Sequence, residues 1–224
     1  MHIITTAKEH LVSYPKKVSL IFYFLILLSF HATGQRFQGG LRGGLVASEV
    51  SGDNLSGPNK LGLYATAFTF TPVSEFSDIL LEIKYIQKGS RSIPTERNNF
   101  YEYKFFLQYV EVPVHFRQDI ARFTDLDFIE KLMVSAGLSV SVLVDHLETD
   151  MGTPVPPSER EDFNPAELNI LFGLSYPLTG SIDFNFGFSN SLTPIRPHAG
   201  GGKLWYNRGQ YNTVWTFGLS YIFW

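Results

Sequence analysis

Residues 181–190 read SIDFNFGFSN. Ile182, Phe184, Phe186 and Phe188 alternate there with Asp183, Asn185, Gly187 and Ser189. Successive side chains on a strand point to opposite faces, so one face is a ladder of large apolar groups and the other is small and polar. In a soluble sandwich or a lipocalin-like barrel, the phenylalanines look at a core. In a membrane barrel they look at lipid, and the polar face lines the interior.

The same period-two pattern recurs in seven other segments, and no 3.6-residue period persists over a long window. They are 39–50, 61–71, 79–88, 103–118, 131–146, 168–178 and 212–224. In the first, Leu41, Leu45 and Ala47 share a face; in the second, Tyr64, Phe68 and Phe70 do. In the third, Ile79, Leu81, Ile83 and Tyr85 oppose Leu80, Glu82, Lys84 and Ile86. The fourth changes phase, from Phe105, Leu107 and Tyr109 to Val112, Val114 and Phe116, which predicts a β-bulge near 109–111. Pro113 cannot donate to a ladder and fits an irregularity there. Val134 to Val144 face one way in the fifth, against Ser135, Gly137, Ser139 and Ser141. In the sixth, Leu168, Ile170, Phe172, Leu174 and Tyr176 oppose Asn169, Gly173 and Ser175. In the last, Thr213, Trp215, Phe217, Leu219, Tyr221 and Phe223 share a face, with Trp224 one residue beyond.

The links between these segments sort by parity. Those near 51–60, 89–102, 147–163 and 193–210 are long and polar, whereas 71–78 and 178–181 are short. The link at 118–130 is intermediate and has the character of a short helical turn. Long loops at one end and short turns at the other are the asymmetry of an outer-membrane barrel. A soluble sandwich has no reason to sort its loops this way. The polar faces carry Glu82, Lys84, Asn169, Asp183 and Asn185 among many Gly and Ser, as a narrow lumen requires. The apolar faces are aliphatic, with Tyr64, Tyr85, Tyr176, Trp215 and Tyr221 toward strand ends as an aromatic girdle. The sequence therefore predicts an all-β chain: an eight-stranded antiparallel transmembrane β-barrel of outer-membrane type, with the Phe ladder facing lipid.

Composition agrees. Of 224 residues, 44% are hydrophobic and only 17% charged, too few for an ordinary solvated surface. Lys16 and Lys17 precede the apolar run 18–30, and Ala32 and Gly34 follow as at a signal-peptidase site. The run is short for a membrane-spanning helix, which needs about 20 residues. The expected division is a cleaved signal peptide, 1–34, and a barrel domain, 35–224. Cleavage would remove three of the 18 basic and one of the 21 acidic residues, leaving a net charge of −5 and no call for nucleic acid. The absence of cysteine excludes a disulfide framework and a lipoprotein anchor.

Three stretches carry a family resemblance. Residues 40–65 (GLRGGLVASEVSGDNLSGPNKLGLYA), 80–90 (LLEIKYIQKGS) and 109–117 (YVEVPVHFR) resemble the PorT-type outer-membrane β-barrel proteins of Bacteroidetes. Glu82, Tyr85, Lys88, Gly89 and Ser90 match one signature of that family; Tyr109, Glu111, Val112 and Pro113 match another. The resemblance implies an outer-membrane barrel and, through the family's namesake, an accessory part in type IX protein secretion. On the strands themselves, Glu82, Lys84, Glu111 and Arg42 are expected to form an interior ion-pair cluster that plugs the barrel and fixes its register.

A search for chemistry gives no catalytic, cofactor-binding or metal-binding residues. Past residue 34 the only histidines are His115, His146 and His198. Asp145 and His146 are adjacent and point to opposite faces, which is poor geometry for a hydrolytic triad with Ser141. No metal-ligand spacing occurs. The Gly-rich stretches 39–44 and 198–203 do not lie between a strand and a helix, as phosphate loops do. PVPPSERED, 154–162, reads as an exposed loop tip.

The expected function is non-enzymatic: a structural or surface-interaction protein of the bacterial outer membrane that presents its four long loops. A role in secretion or envelope assembly is the alternative, ahead of a narrow channel or a lipid hydrolase. The expected partners are outer-membrane lipid and lipopolysaccharide, the barrel-assembly machinery through the C-terminal strand, and other envelope or secretion proteins.

Overall fold

The computed structural model describes residues 37–55, 57–123, 129, 131–198 and 209–223. The expected leader, part of the 193–210 link and Trp224 lie outside the described residues. The described residues form nine strands: β1 (Gln38–Ser51), β2 (Lys60–Ser74), β3 (Ser77–Arg91), β4 (Tyr103–Asp119), β5 (Met133–Asp150), β6 (Thr153–Pro154), β7 (Ala166–Pro177), β8 (Ile182–Ser191) and β9 (Tyr211–Phe223). Eight of them close a ring of antiparallel pairs in the order β4-β3-β2-β1-β9-β8-β7-β5, with β5 returning to β4. β6 is a two-residue hairpin return on the end of β5. Closure satisfies every ladder within the sheet, which a barrel in lipid requires.

The strand pairs run further than their alternation indicates, so β2 and β3 are joined by residues 75–76 alone. The β4–β5 link does open with a helical turn, Ile120–Arg122, whose N-cap Asp119 accepts from the Ala121 N–H at 2.9 Å. The described parts of the links at 52–59, 92–102, 151–165 and 192–210 share the opposite end of the barrel from 75–76 and 178–181.

Through the middle of the barrel the apolar faces point outward. Leu41, Leu81, Ile83, Val112, Val140, Phe172, Phe184 and Leu219 are all exposed, while Glu82, Ser139, Asn169 and Asn185 are buried in the lumen. The ladder of 182–188 thus faces the surroundings, with Phe186 packed on Phe217 and Phe188 on Trp215 from the neighbouring strand. Toward the loop end the interior becomes apolar. Phe105, Leu107 and Tyr109 are fully buried and pack inside with Val46, Val50, Tyr64, Ile86 and Val214. Phe163 and Ile195, from two loops, complete this core. Outside them at that height lie Gln108 and Asp145, joined by a hydrogen bond of 2.7 Å.

Two expectations are corrected here. The phase change in β4 is not a bulge: residues 105, 107, 109, 111, 113, 115 and 117 all face inward without a break. What changes is the interior, charged in the middle and apolar toward the loop end, so in β4 the apolar residues switch faces while the strand keeps its parity. The bulge lies opposite, on β5. Gln108 pairs with Asp145 and Tyr109 with Leu143, leaving Val144 as the extra residue. The second correction concerns β2, whose Tyr64 and Phe68 are buried in the lumen, so Tyr64 is not part of the girdle. Leu61 and Leu63 face outward in their place. Phe68 and Phe70 lie inside because the guanidiniums of Arg42 and Arg117 rest on their rings, at 5.0 and 4.4 Å. Gly218, two strands away beyond Gly44 of β1, has no Cβ to collide with the Tyr64 hydroxyl.

Candidate functional site

The middle of the lumen holds a chain of charges. Arg42 Nη1 lies 2.7 Å from Glu82 Oε1. Lys84 Nζ bridges Glu82 and Glu111 at 3.5 and 3.6 Å. Lys88 Nζ lies 3.1 Å from Glu111 and 2.5 Å from Glu167. Three cations alternate with three carboxylates, so the chain neutralises itself, which is what makes buried charge tolerable. Asn212 donates to the second Glu167 oxygen at 2.7 Å, and Ser141 to Glu111 at 3.2 Å. Nearer the short turns, Arg117 makes a two-point pair with Asp78 at 2.6 and 2.8 Å. The void left among these groups is only about 50 Å³.

The four residues expected to cluster, Arg42, Glu82, Lys84 and Glu111, are brought together. Lys88 and Glu167 were missed. Lys88 shares the parity of Glu82 and Lys84 on β3, a signal that could have placed it inside. Glu167 precedes the alternation read for its strand by one residue. His115 faces the lumen, beside the charge chain. Ser141, Asp145 and His146 are not assembled: Ser141 donates to Glu111, Asp145 lies outward on Gln108, and His146 turns inward against the Phe163 ring at 5.4 Å.

The loop end of the barrel is closed by Arg196, from the link between β8 and β9. It is buried, and its Nη1 donates to both Glu148 oxygens at 3.1 and 3.0 Å. Its Nε donates to Gln210 at 2.8 Å, and its guanidinium sits 4.7 and 4.5 Å from the Phe105 and Phe163 rings. Backbone bonds Ile195 N–H to Gln210 O, Gln210 N–H to Arg196 O and Asn164 N–H to Ile195 O hold the plug in place.

Above this plug, among the loops, lies a vestibule of about 750 Å³. Asp53, Asn54, Ile93, Tyr101, Tyr103 and Arg196 contribute to its wall. The β3–β4 loop is held by its own side chains. Asn98 accepts from the Thr95 N–H at 2.8 Å and donates to Ile93 O at 2.9 Å, and Ser92 accepts from the Tyr103 N–H at 2.7 Å. Asn99 and Phe100 take left-handed backbone conformations at its tip. Asp53 Oδ1 accepts from the Leu55 N–H at 2.8 Å, while Oδ2 is buried without a hydrogen-bond partner among the described residues. Burial pushes the Asp53 carboxyl above the usual carboxylate range, against the opposing pull of Ser90 and Arg196.

This sheet, closed on itself with lipid-like residues outside and polar ones inside, defines an outer-membrane β-barrel. The family described as outer membrane protein beta-barrel domain matches residues 29–195, well over half of the chain, and the chain belongs to that family. It is a protein of the bacterial outer membrane. A search of curated proteins returned no match. Among solved structures, Ail, the attachment invasion locus protein of Yersinia pestis, is similar at 14% identity and a TM-score of 0.45, over 83% of this chain and 98% of that one. Neisserial surface protein A is similar at 12% identity and 0.41, over 83% and 96%. OprG of Pseudomonas aeruginosa is similar at 10% identity and 0.39, over 84% and 97%.

Proposed function

We propose that this chain is a non-enzymatic, sealed barrel that anchors a crown of loops at the cell surface for interaction. The observation that carries this reading is the filling of the lumen. A neutral chain of six charged side chains occupies its middle, the Arg196 plug closes its loop end, and the void beside Arg42, Glu82 and Glu111 is only about 50 Å³. A barrel of eight strands has room for little more. Such an interior stiffens the wall and leaves the loops as the exposed working part.

Within its family, we assign the chain to the PorT-type barrels. Support comes from the residues that carry the resemblance. Glu82, Lys88 and Glu111, the charged members of its two signatures, meet in the lumen as links of one chain. Those signatures read as the recipe for the plug.

The test is conductance. The folded protein, reconstituted into planar bilayers, is expected to give no unitary current steps. Reproducible ohmic steps would sink the sealed-barrel reading in favour of a channel.

A further inference from the structure

The outer wall of the barrel is not uniform around its loop end. On the outward face of β3 and β4 lies a polar belt. Gln87 donates to the Tyr85 hydroxyl at 3.3 Å, Tyr85 donates to Gln108, and Gln108 donates to Asp145 on β5 at 2.7 Å. Amide and carboxylate side chains are costly against hydrocarbon, so this belt marks where the membrane core gives way to head groups. On its other side, Ile83, Val110 and Val112 stand exposed as apolar wall. Toward the loops the same face turns cationic. Arg91 and Lys104 lie directly opposite each other across the β3–β4 ladder, where like charges repel. Lys104 has no ion-pair partner among the described residues. Arg91 has Glu102, at 2.9 Å, in a solvent-exposed pair of the kind that contributes little. A third cation, Lys60, is buried beside them, with its ammonium 3.9 Å from the Phe106 ring centroid and within Coulombic reach of Lys104. It donates to Leu61 O at 2.6 Å and meets no ligand itself, but it adds to the positive field. On β1, β9 and β8 the outward residues at this end are Glu49, Thr213 and Asn190, so the cations are confined to one sector.

Three features of this sector select a partner. An unpaired ammonium facing a guanidinium calls for an anion with several oxygens, and a phosphate fits both. Gln87 and Gln108 each spend one N–H inside the belt and keep the other, which suits sugar hydroxyls and acyl-amide carbonyls. The apolar wall takes acyl chains. A phospholipid answers the first and the last of these, whereas a phosphorylated, acylated sugar answers all three. We propose that the β3–β4 wall binds outer-leaflet lipopolysaccharide through a phosphate of its lipid A, with Arg91 and Lys104 holding the phosphate and Gln87 and Gln108 meeting the sugar below it. This goes beyond a barrel that merely lies among such lipids, because it fixes one sector and the group recognised. It does not depend on the lumen being sealed.

The experiment is native mass spectrometry of the full chain folded in an amine-oxide detergent. The probes are lipid A with two phosphates, the same lipid A without phosphate, phosphatidylglycerol and inorganic phosphate. Diphosphoryl lipid A is expected to stay bound as a one-to-one adduct, preferred about tenfold or more over the phosphate-free form. Arg91→Gln and Lys104→Gln, made singly and together, remove outward-facing charges that repel each other, so the barrel should still fold and keep its heat-shifted gel mobility. Each single variant should weaken the preference and the double variant should abolish it. Lys131→Gln, on the β4–β5 link at the other end of the barrel, should bind as the parent does. Equal retention of the two lipid A forms would overturn the proposal, as would an unchanged preference in the variants. Phosphatidylglycerol held as firmly as diphosphoryl lipid A would overturn it in favour of a general anionic-lipid face. Displacement of the lipid by millimolar inorganic phosphate would overturn it in favour of a free-anion site. A barrel that conducts current would count against the sealed-barrel reading and leave this site standing.

Discussion

Lys88 shows how much one interior residue can hold. It is fully buried, and its ammonium is shared between Glu111 on β4 and Glu167 on β7, so one side chain ties opposite walls of the barrel. Lys88→Met would leave Glu167 buried without a cation and Glu111 with only the longer Lys84 contact, a loss of about 3–5 kcal/mol. Lys84→Met removes only two longer contacts, because Glu82 keeps Arg42 and Glu111 keeps Lys88. It should cost about 1 kcal/mol. Urea unfolding in lipid vesicles should show a large drop in midpoint for the first variant and a small one for the second. Equal drops would mean that the chain acts as a diffuse charge cloud rather than a set of links. Glu82, Lys84 and Glu111 were legible as a cluster because two lie on one strand and the third on its neighbour. The Lys88–Glu167 pair spans 79 residues, and no local pattern points from one to the other.

The parity of β5 beyond its bulge sets what the mouth contains. Val142, Val144 and Asp145 all face outward, and the extra residue turns His146 and Glu148 back to the inside. Deleting Val144 gives an unbulged strand in which those two still face inward, so the Glu148–Arg196 pair should survive and the stability change should stay within about 1 kcal/mol. Inserting one alanine after His146 turns Glu148 outward instead. The plug then loses its carboxylate, and proteinase K should cut the 192–210 link of the folded protein far faster than in the parent. If deletion and insertion behave alike, the faces of β5 are not what secures the plug. The alternation of β5 is legible in the sequence, whereas that of β4 is legible only as two runs out of phase, and the sequence alone puts the bulge on the wrong strand. A run of Phe, Leu and Tyr followed by a shifted run of Val and Phe has two causes: an extra residue, or a change of surroundings along an unbroken strand. Only the partner strand distinguishes them.

Closure of the whole sheet predicts a protein that resists unfolding as one unit. Without boiling, it should run on a detergent gel at a mobility different from that of the boiled chain, from the outer-membrane fraction. A single mobility before and after boiling would contradict a closed barrel. The sequence by itself determined the number of barrel strands, the end at which the long loops lie, and the outward direction of the Phe ladder at 182–188. Those follow from period-two alternation and loop length, both of which are local and survive without knowledge of any partner. Tertiary structure alone decided where along the barrel the interior turns from charged to apolar, which cation meets which carboxylate across the lumen, and that Arg196 turns inward to floor a vestibule. Each of these depends on what lies opposite or outside a residue once the sheet has closed. Alternation records that a strand has two faces, but the medium against each face is set by the assembled barrel and the membrane around it.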